Sequence, residues 1–159
     1  MPSVDDVIAR ATATLKASPD LAGVKEWHQV NNLITLVSPG ISIGLEKENF
    51  EPYDKKYDNV NAFLKIFVWV KDMNPVQGEA EVRRLAHHIR SALNQDIYLG
   101  GMIDSGFVAG IEYLSGDAGK GLLLHMAELD YQTSFLALRM EREPAPRIDQ
   151  VQSDTEINQ

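Results

Sequence analysis

The chain has 159 residues, 44% of them hydrophobic and 24% charged, with no cysteine and a formal net charge of −8. Such a length suits one domain around a single core, and the missing cysteine excludes disulfides and thiolate metal sites while fitting a cytosolic origin. The longest apolar run is too short to span a bilayer, the opening Met1-Pro-Ser-Val-Asp-Asp does not read as a signal peptide, and the surplus of carboxylates opposes a broad grip on phosphate.

The first predicted element is a helix. Ser3 is placed to cap it, Asp5 and Asp6 suit its first turn, and Val4, Val7, Ile8, Ala11 and Leu15 form one apolar stripe before Ser18-Pro19-Asp20 stops it. Short β-friendly stretches follow at Val24 to Val30 and Leu33 to Val37, separated by the turn signal Asn31-Asn32. Ile41, Ile43 and Leu45 alternate with polar or small residues, as in a strand with one buried face. Glu48 to Asp58 is polar, mixed in charge and without period, and reads as a long loop.

Residues 60–71 carry the strongest strand signal. Val60, Ala62, Leu64, Ile66, Val68 and Val70 fall on one face, and Asn61, Phe63, Lys65, Phe67, Trp69 and Lys71 on the other. A strand apolar on one side and aromatic on the other is expected at the centre of a sheet and covered twice. The N-terminal helix or a loop is the expected cover for the aromatic side, and a neighbouring subunit is the sharper alternative. The clearest helix comes next. Asn74 can cap it, Pro75 suits its first position, Gln77 can complete a capping box, and Val82, Leu85, Ala86, Ile89 and Leu93 form its buried stripe. Its exposed side holds Arg83, Arg84, His87, His88 and Arg90, with Glu79 placed to pair with Arg83, so an acidic protein carries one basic helix face.

Ile97 to Gly101 reads as a short extended piece running into a turn. Residues 107–114 and 127–137 alternate as two long strands of a hairpin, joined by the glycine-rich segment Ser115 to Gly121. From Glu141 onward the chain is polar and lacks aromatics, and is expected to be a mobile arm. The expected fold is α+β: an antiparallel or mixed sheet of about four to five strands, packed by an N-terminal helix and one long capped helix. Residues 1–140 form the domain, and 141–159 the acidic C-terminal arm.

Catalytic constellations are scarce. Adjacent His87 and His88 project about 100° apart on a helix and cannot share a metal unaided. His28 and His125 sit in no nucleophile motif. The glycine-rich segment lacks the Lys-Ser or Lys-Thr pair and the following helix of a phosphate loop, and the carboxylates Glu46, Glu48, Glu51, Asp54 and Asp58 match no calcium-loop spacing. No enzyme, metal or cofactor is expected.

The order of elements, together with Phe67-Val-Trp-Val70, the turn through Asn74, the helix Gly78 to Leu93, Leu99-Gly-Gly101 and the strand around Leu129-Asp-Tyr131, resembles the tail-terminator family of tailed bacteriophages, also called tail-completion or minor tail proteins. The likeness extends over residues 24–138 in architecture and 63–101 as a motif. It implies a structural virion protein at the tail–neck junction, assembled in the host bacterial cytoplasm. Such proteins form a ring, usually a homo-hexamer, on the last layer of the tail tube. The ring stops tube polymerisation and offers a surface to the head-side connector, while DNA passes through the lumen without specific binding. A strongly negative ring suits a conduit that must not trap phosphate. Other neck proteins (stopper or head-completion) and a small cytosolic ligand-binding α+β oligomer are the alternatives.

Under this reading a subunit interface is expected between Arg83, Arg84, His88 and Arg90 of one copy and Glu112, Glu128 and Asp130 of the next, since a head-to-tail ring needs two complementary surfaces. Phe50, Tyr53, Lys55, Lys56 and Tyr57 in the loop, with Arg142 and Arg147 in the arm, are the expected contacts to the tube, the connector or a sheath protein.

Overall fold

The computed structural model describes residues 1–31, 37–119 and 121–139. Helix α1 spans Val4–Lys16, and a single 3-10 turn follows at Pro19–Leu21. The strands are β1 (Glu26–His28), β2 (Gly40–Pro52) and β3 (Tyr57–Asp72), then β4 (Ser105–Gly119) and β5 (Leu122–Leu138), with helix α2 (Pro75–Gln95) between β3 and β4. They form one sheet in the order β1-β2-β3-β5-β4, where β1 runs parallel to β2 and every other pair is antiparallel. The α+β expectation holds, with five strands. Leu33 to Leu36 and the arm from Glu141 lie outside the described residues.

Local chemistry accounts for the helices. In α1 the Ser3 hydroxyl accepts from the Asp6 amide while the Asp6 carboxylate accepts from the Ser3 amide, a complete capping box. In α2 the Asn74 side chain alone caps, accepting from the amides of Val76 and Gln77, so the expected reach of Gln77 is replaced by a simple cap. Val7, Ile8, Ala11 and Leu15 of α1 and Val82, Leu85, Ala86, Ile89 and Leu93 of α2 bury their stripes in one core. Val60 to Val70 of β3 and Ala127, Leu129, Tyr131 and Phe135 of β5 supply the sheet side of that core. Both helices therefore lie on the same side of the sheet.

Four expectations change. The segment Glu48–Asp58 is a hairpin, not a long loop: β2 pairs with β3 out to Pro52 opposite Asp58, leaving only Tyr53–Lys56 as the turn. There the Asp54 carboxylate accepts from the amides of Lys56 (2.7 Å) and Tyr57 (2.8 Å). The glycine-rich Ser115 to Gly121 is likewise mostly strand, because β4 stays paired with β5 as far as Gly119 opposite Leu122. Ile97 to Gly101 is a tight turn rather than an extended piece, with the Leu99 side chain buried in the core and the Leu99 backbone at φ 45°. Finally, α1 does not cover the aromatic face of β3, since it lies on the opposite side of the sheet. Loop chain covers Trp69 and the outer side of β2: the Val37 carbonyl accepts the indole N–H at 2.8 Å, the His28 ring stacks on the indole, and Val30 and Asn31 lie over Ser42 and Gly44, the Ser42 hydroxyl donating to the Val30 carbonyl.

Candidate functional site

Strand register sorts the residues of the sheet face away from the helices, covered at β2 and open at β5 and β4, into rows. Ser42, Phe67, Glu128 and Glu112 form one row, and Gly44, Lys65, Asp130 and Gly110 the next. The Lys65 ammonium stands among three carboxylates, 2.6 Å from Asp130, 3.6 Å from Glu46 and 3.9 Å from Glu128. Its hydrogen bond to Asp130, with the charges of Asp130, Glu46 and Glu128, holds its pKa above the ordinary lysine value. Glu112 lies directly across from Glu128 and is exposed. Four carboxylates thus share this part of the face with Lys65, while Lys47 lies beside them with its ammonium over the Phe63 ring. Above them the face turns apolar: Leu114 pairs across from Met126, with Leu124 beyond, and Leu114 is exposed.

The outer side of α2 carries the opposite charge. Arg84 is held by Glu81 through Nη2 to Oε1 (2.6 Å) and Nε to Oε2 (3.0 Å), which lowers the pKa of Glu81 and raises that of Arg84. His88 stands 3.6 Å from Asp20 of the 3-10 turn. Arg83, His87 and Arg90 are exposed and make no ion pair among the described residues, so Arg84, not Arg83, takes the intrahelical partner. The residues expected to meet across an interface, Arg83, Arg84, His88 and Arg90 with Glu112, Glu128 and Asp130, stand on opposite faces of a two-layer slab. One copy cannot bring them together.

The hairpin end gathers the other expected contacts. Phe50 and Tyr53 are 59% and 62% exposed, Lys55 and Lys56 lie in the turn and are exposed, and Tyr57 is half-buried at the start of β3. Arg142 and Arg147 lie outside the described residues. Arg139 ties the end of β5 to this turn. Its Nε donates to Asp58 at 2.9 Å, its Nη2 to the Asp54 carbonyl at 2.6 Å, and its amide to the Lys56 carbonyl at 2.7 Å. Between this end and the start of α1 runs a largely apolar groove of about 490 Å³, lined by Val4, Phe50, Val60, Phe135, Ala137 and Leu138 together with Ser3, Glu48, Asp58 and Arg139. Sequence reasoning missed it, because its walls come from three strands and a helix far apart in the chain.

Among the described residues no three histidine, aspartate or glutamate side chains converge as metal ligands. His125 is buried, with its ring against Gly78 near the start of α2 and Nδ1 3.4 Å from the Ser115 hydroxyl, so it serves as a packing residue of β5. No helix among those residues is long and apolar enough to cross a membrane.

No protein-family model matches the chain, and no curated protein sequence does. Among solved structures, a chain in the virion of a native gene transfer agent particle is similar at 14% identity and a TM-score of 0.49, over 82% of this chain and 95% of that one. A likeness at that level leaves the function to be argued from the surfaces themselves.

Proposed function

We propose that the protein is a structural ring subunit that closes the end of a phage-like tail tube, stops its growth and presents a surface to the head-side connector. The observation that carries this reading is the segregation of charge on the slab: a sheet face open at β5 and β4 and rich in carboxylates on one side, and a cationic helix face on the other. A protein that works alone has no need of two unlike, unfilled surfaces on opposite sides, whereas a head-to-tail ring uses both. The sequence resemblance supplies the tube and connector as partners, and the net charge of −8 suits a passage through which phosphate slides without being held. The hairpin end, with Phe50, Tyr53, Lys55 and Lys56 displayed around its turn, is the surface for the tube or a sheath, assisted by the arm that carries Arg142 and Arg147.

Adding the purified protein to growing tail tubes tests this. Tubes of reduced length, each with extra density at one end, are expected; tubes that elongate as before would remove the reading. Deleting residues 144–159 is expected to weaken tube binding several-fold while leaving thermal stability unchanged. Undiminished binding by the truncated protein would take the arm out of the contact.

The apolar groove favours a second reading, a small ligand-binding oligomer, since its size falls in the range of small-molecule sites. Ala137→Phe, at a half-buried position on the groove wall, would fill the groove: it abolishes binding of an apolar ligand under this second reading and leaves tube capping intact under the first.

A further inference from the structure

The two charged faces match in level as well as in sign. Helix α2 leaves the sheet just after Asp72, which pairs with Leu123 at the upper end of β5, and both α2 and β5 then run toward the lower end of the slab. Val76, at the top of α2, is 75% exposed, and Arg83 and Arg90 follow it down one flank, about a quarter turn from the buried stripe. At the helical rise these two guanidinium groups start about 10 and 21 Å below Val76. On the sheet face Leu124 stands at the top. Glu128, with Glu112 beside it, lies about 14 Å lower and Asp130 about 20 Å lower, at the rise of an antiparallel strand. One apolar residue followed by two cations on the helix thus meets one apolar group followed by two carboxylate levels on the sheet.

This deepens the ring reading and rests on it. In a closed ring neighbours are related by rotation alone, so strands that run along the axis keep their levels from one copy to the next. We propose that the stripe Val76, Arg83 and Arg90 of one copy seats on the open sheet face of β5 and β4 of the next, with Val76 on Leu124, Arg83 between Glu112 and Glu128, and Arg90 at Asp130. Lys65 stays within its own copy and already offsets one of these carboxylates, which leaves the surplus negative charge for the neighbour's guanidinium groups. The match fixes which surface meets which and sets the axial shift to zero, and zero shift distinguishes a closed ring from an open helical filament.

Charge exchange between copies tests the pairing. Arg83 and Glu112 are both exposed, so Arg83→Glu and Glu112→Arg leave the core untouched. Each variant alone sets like charges against each other at every contact and is expected to weaken self-association by about tenfold or more. An equimolar mixture of the two restores an opposite pair at every contact of an alternating ring, so native mass spectrometry is expected to show rings with both variants in equal number. Single variants that assemble as the unaltered protein does, or a mixture no better than its parts, would overturn this pairing and leave the ring reading standing. An unaltered protein that stays single at every concentration and on tail tubes would overturn both.

Discussion

Lys65 and Gly78 show how single positions hold this molecule together. Lys65 spaces three carboxylates that would otherwise repel, and its raised pKa gives the pH window. Its contribution is complete below the ordinary lysine value of about 10.4 and is lost as pH rises through the higher folded value. Lys65→Met is expected to lower stability at pH 7 by about 1–2 kcal/mol. A thermal-unfolding series across alkaline pH checks that limit, the difference from the unaltered protein vanishing once the ammonium is lost. At Gly78 a Cβ would collide with Cδ2 and Nε2 of the buried His125 ring. Gly78→Ala should therefore destabilise by roughly 1–3 kcal/mol, although alanine favours a helix by about 1 kcal/mol. In a His125→Ala background the same change should become neutral or stabilising, which a double-mutant cycle in denaturant measures. Neither contact is legible in the sequence, since Lys65 and Asp130, or Gly78 and His125, are joined only by the pairing of distant strands and the packing of α2. The alternation from Val60 to Val70 was legible because two helices bury one of its faces.

At the scale of elements, burial decides what a sequence can announce. Helix α2 declares its start through Asn74 and Pro75, and Asn74→Ala, which frees the amides of Val76 and Gln77, is expected to cost about 1 kcal/mol in chemical denaturation. The far half of the β2–β3 hairpin declares nothing. From Glu46 to Pro52 it extends past the helices with both faces largely exposed, so no period of two is imposed on its side chains. The backbone ladder and the Asp54 turn hold it instead. Amide hydrogen bonds from Lys56 and Tyr57 keep the Asp54 carboxyl below the usual carboxylate range. Its contribution is therefore present above the ordinary aspartate pKa and is lost as pH falls through the lower folded value. Asp54→Ala should speed hydrogen exchange at the amides of Lys56 and Tyr57 and along the neighbouring ladder, while the exchange of α2 stays unchanged. The end of β4 from Ser115 was hidden for the same reason: it lies exposed on both sides, and its glycines imitate a connection.

For the whole molecule, the basic helix face was readable from helical spacing, whereas its acidic counterpart was not. Glu112, Glu128 and Asp130 become one surface only when β4 and β5 pair in the observed register, and Glu46 joins them through a bulge in β2. The placement of both helices on one side of the sheet was also beyond the sequence, because amphipathic stripes specify that a helix packs and leave open which face of the sheet receives it. Raising salt should weaken any self-association through these faces, and sedimentation across ionic strength is expected to show a falling assembled fraction. The seating of Trp69 has a practical consequence for such measurements. This indole is shielded by the chain around Val37 to Gly40 and the stacked His28 ring rather than by the helical core, so in a Trp27→Phe background its emission reports the undocking of that short strap. Circular dichroism follows α1 and α2 separately, and the two signals will coincide on heating only if strap and helices let go in a single cooperative event.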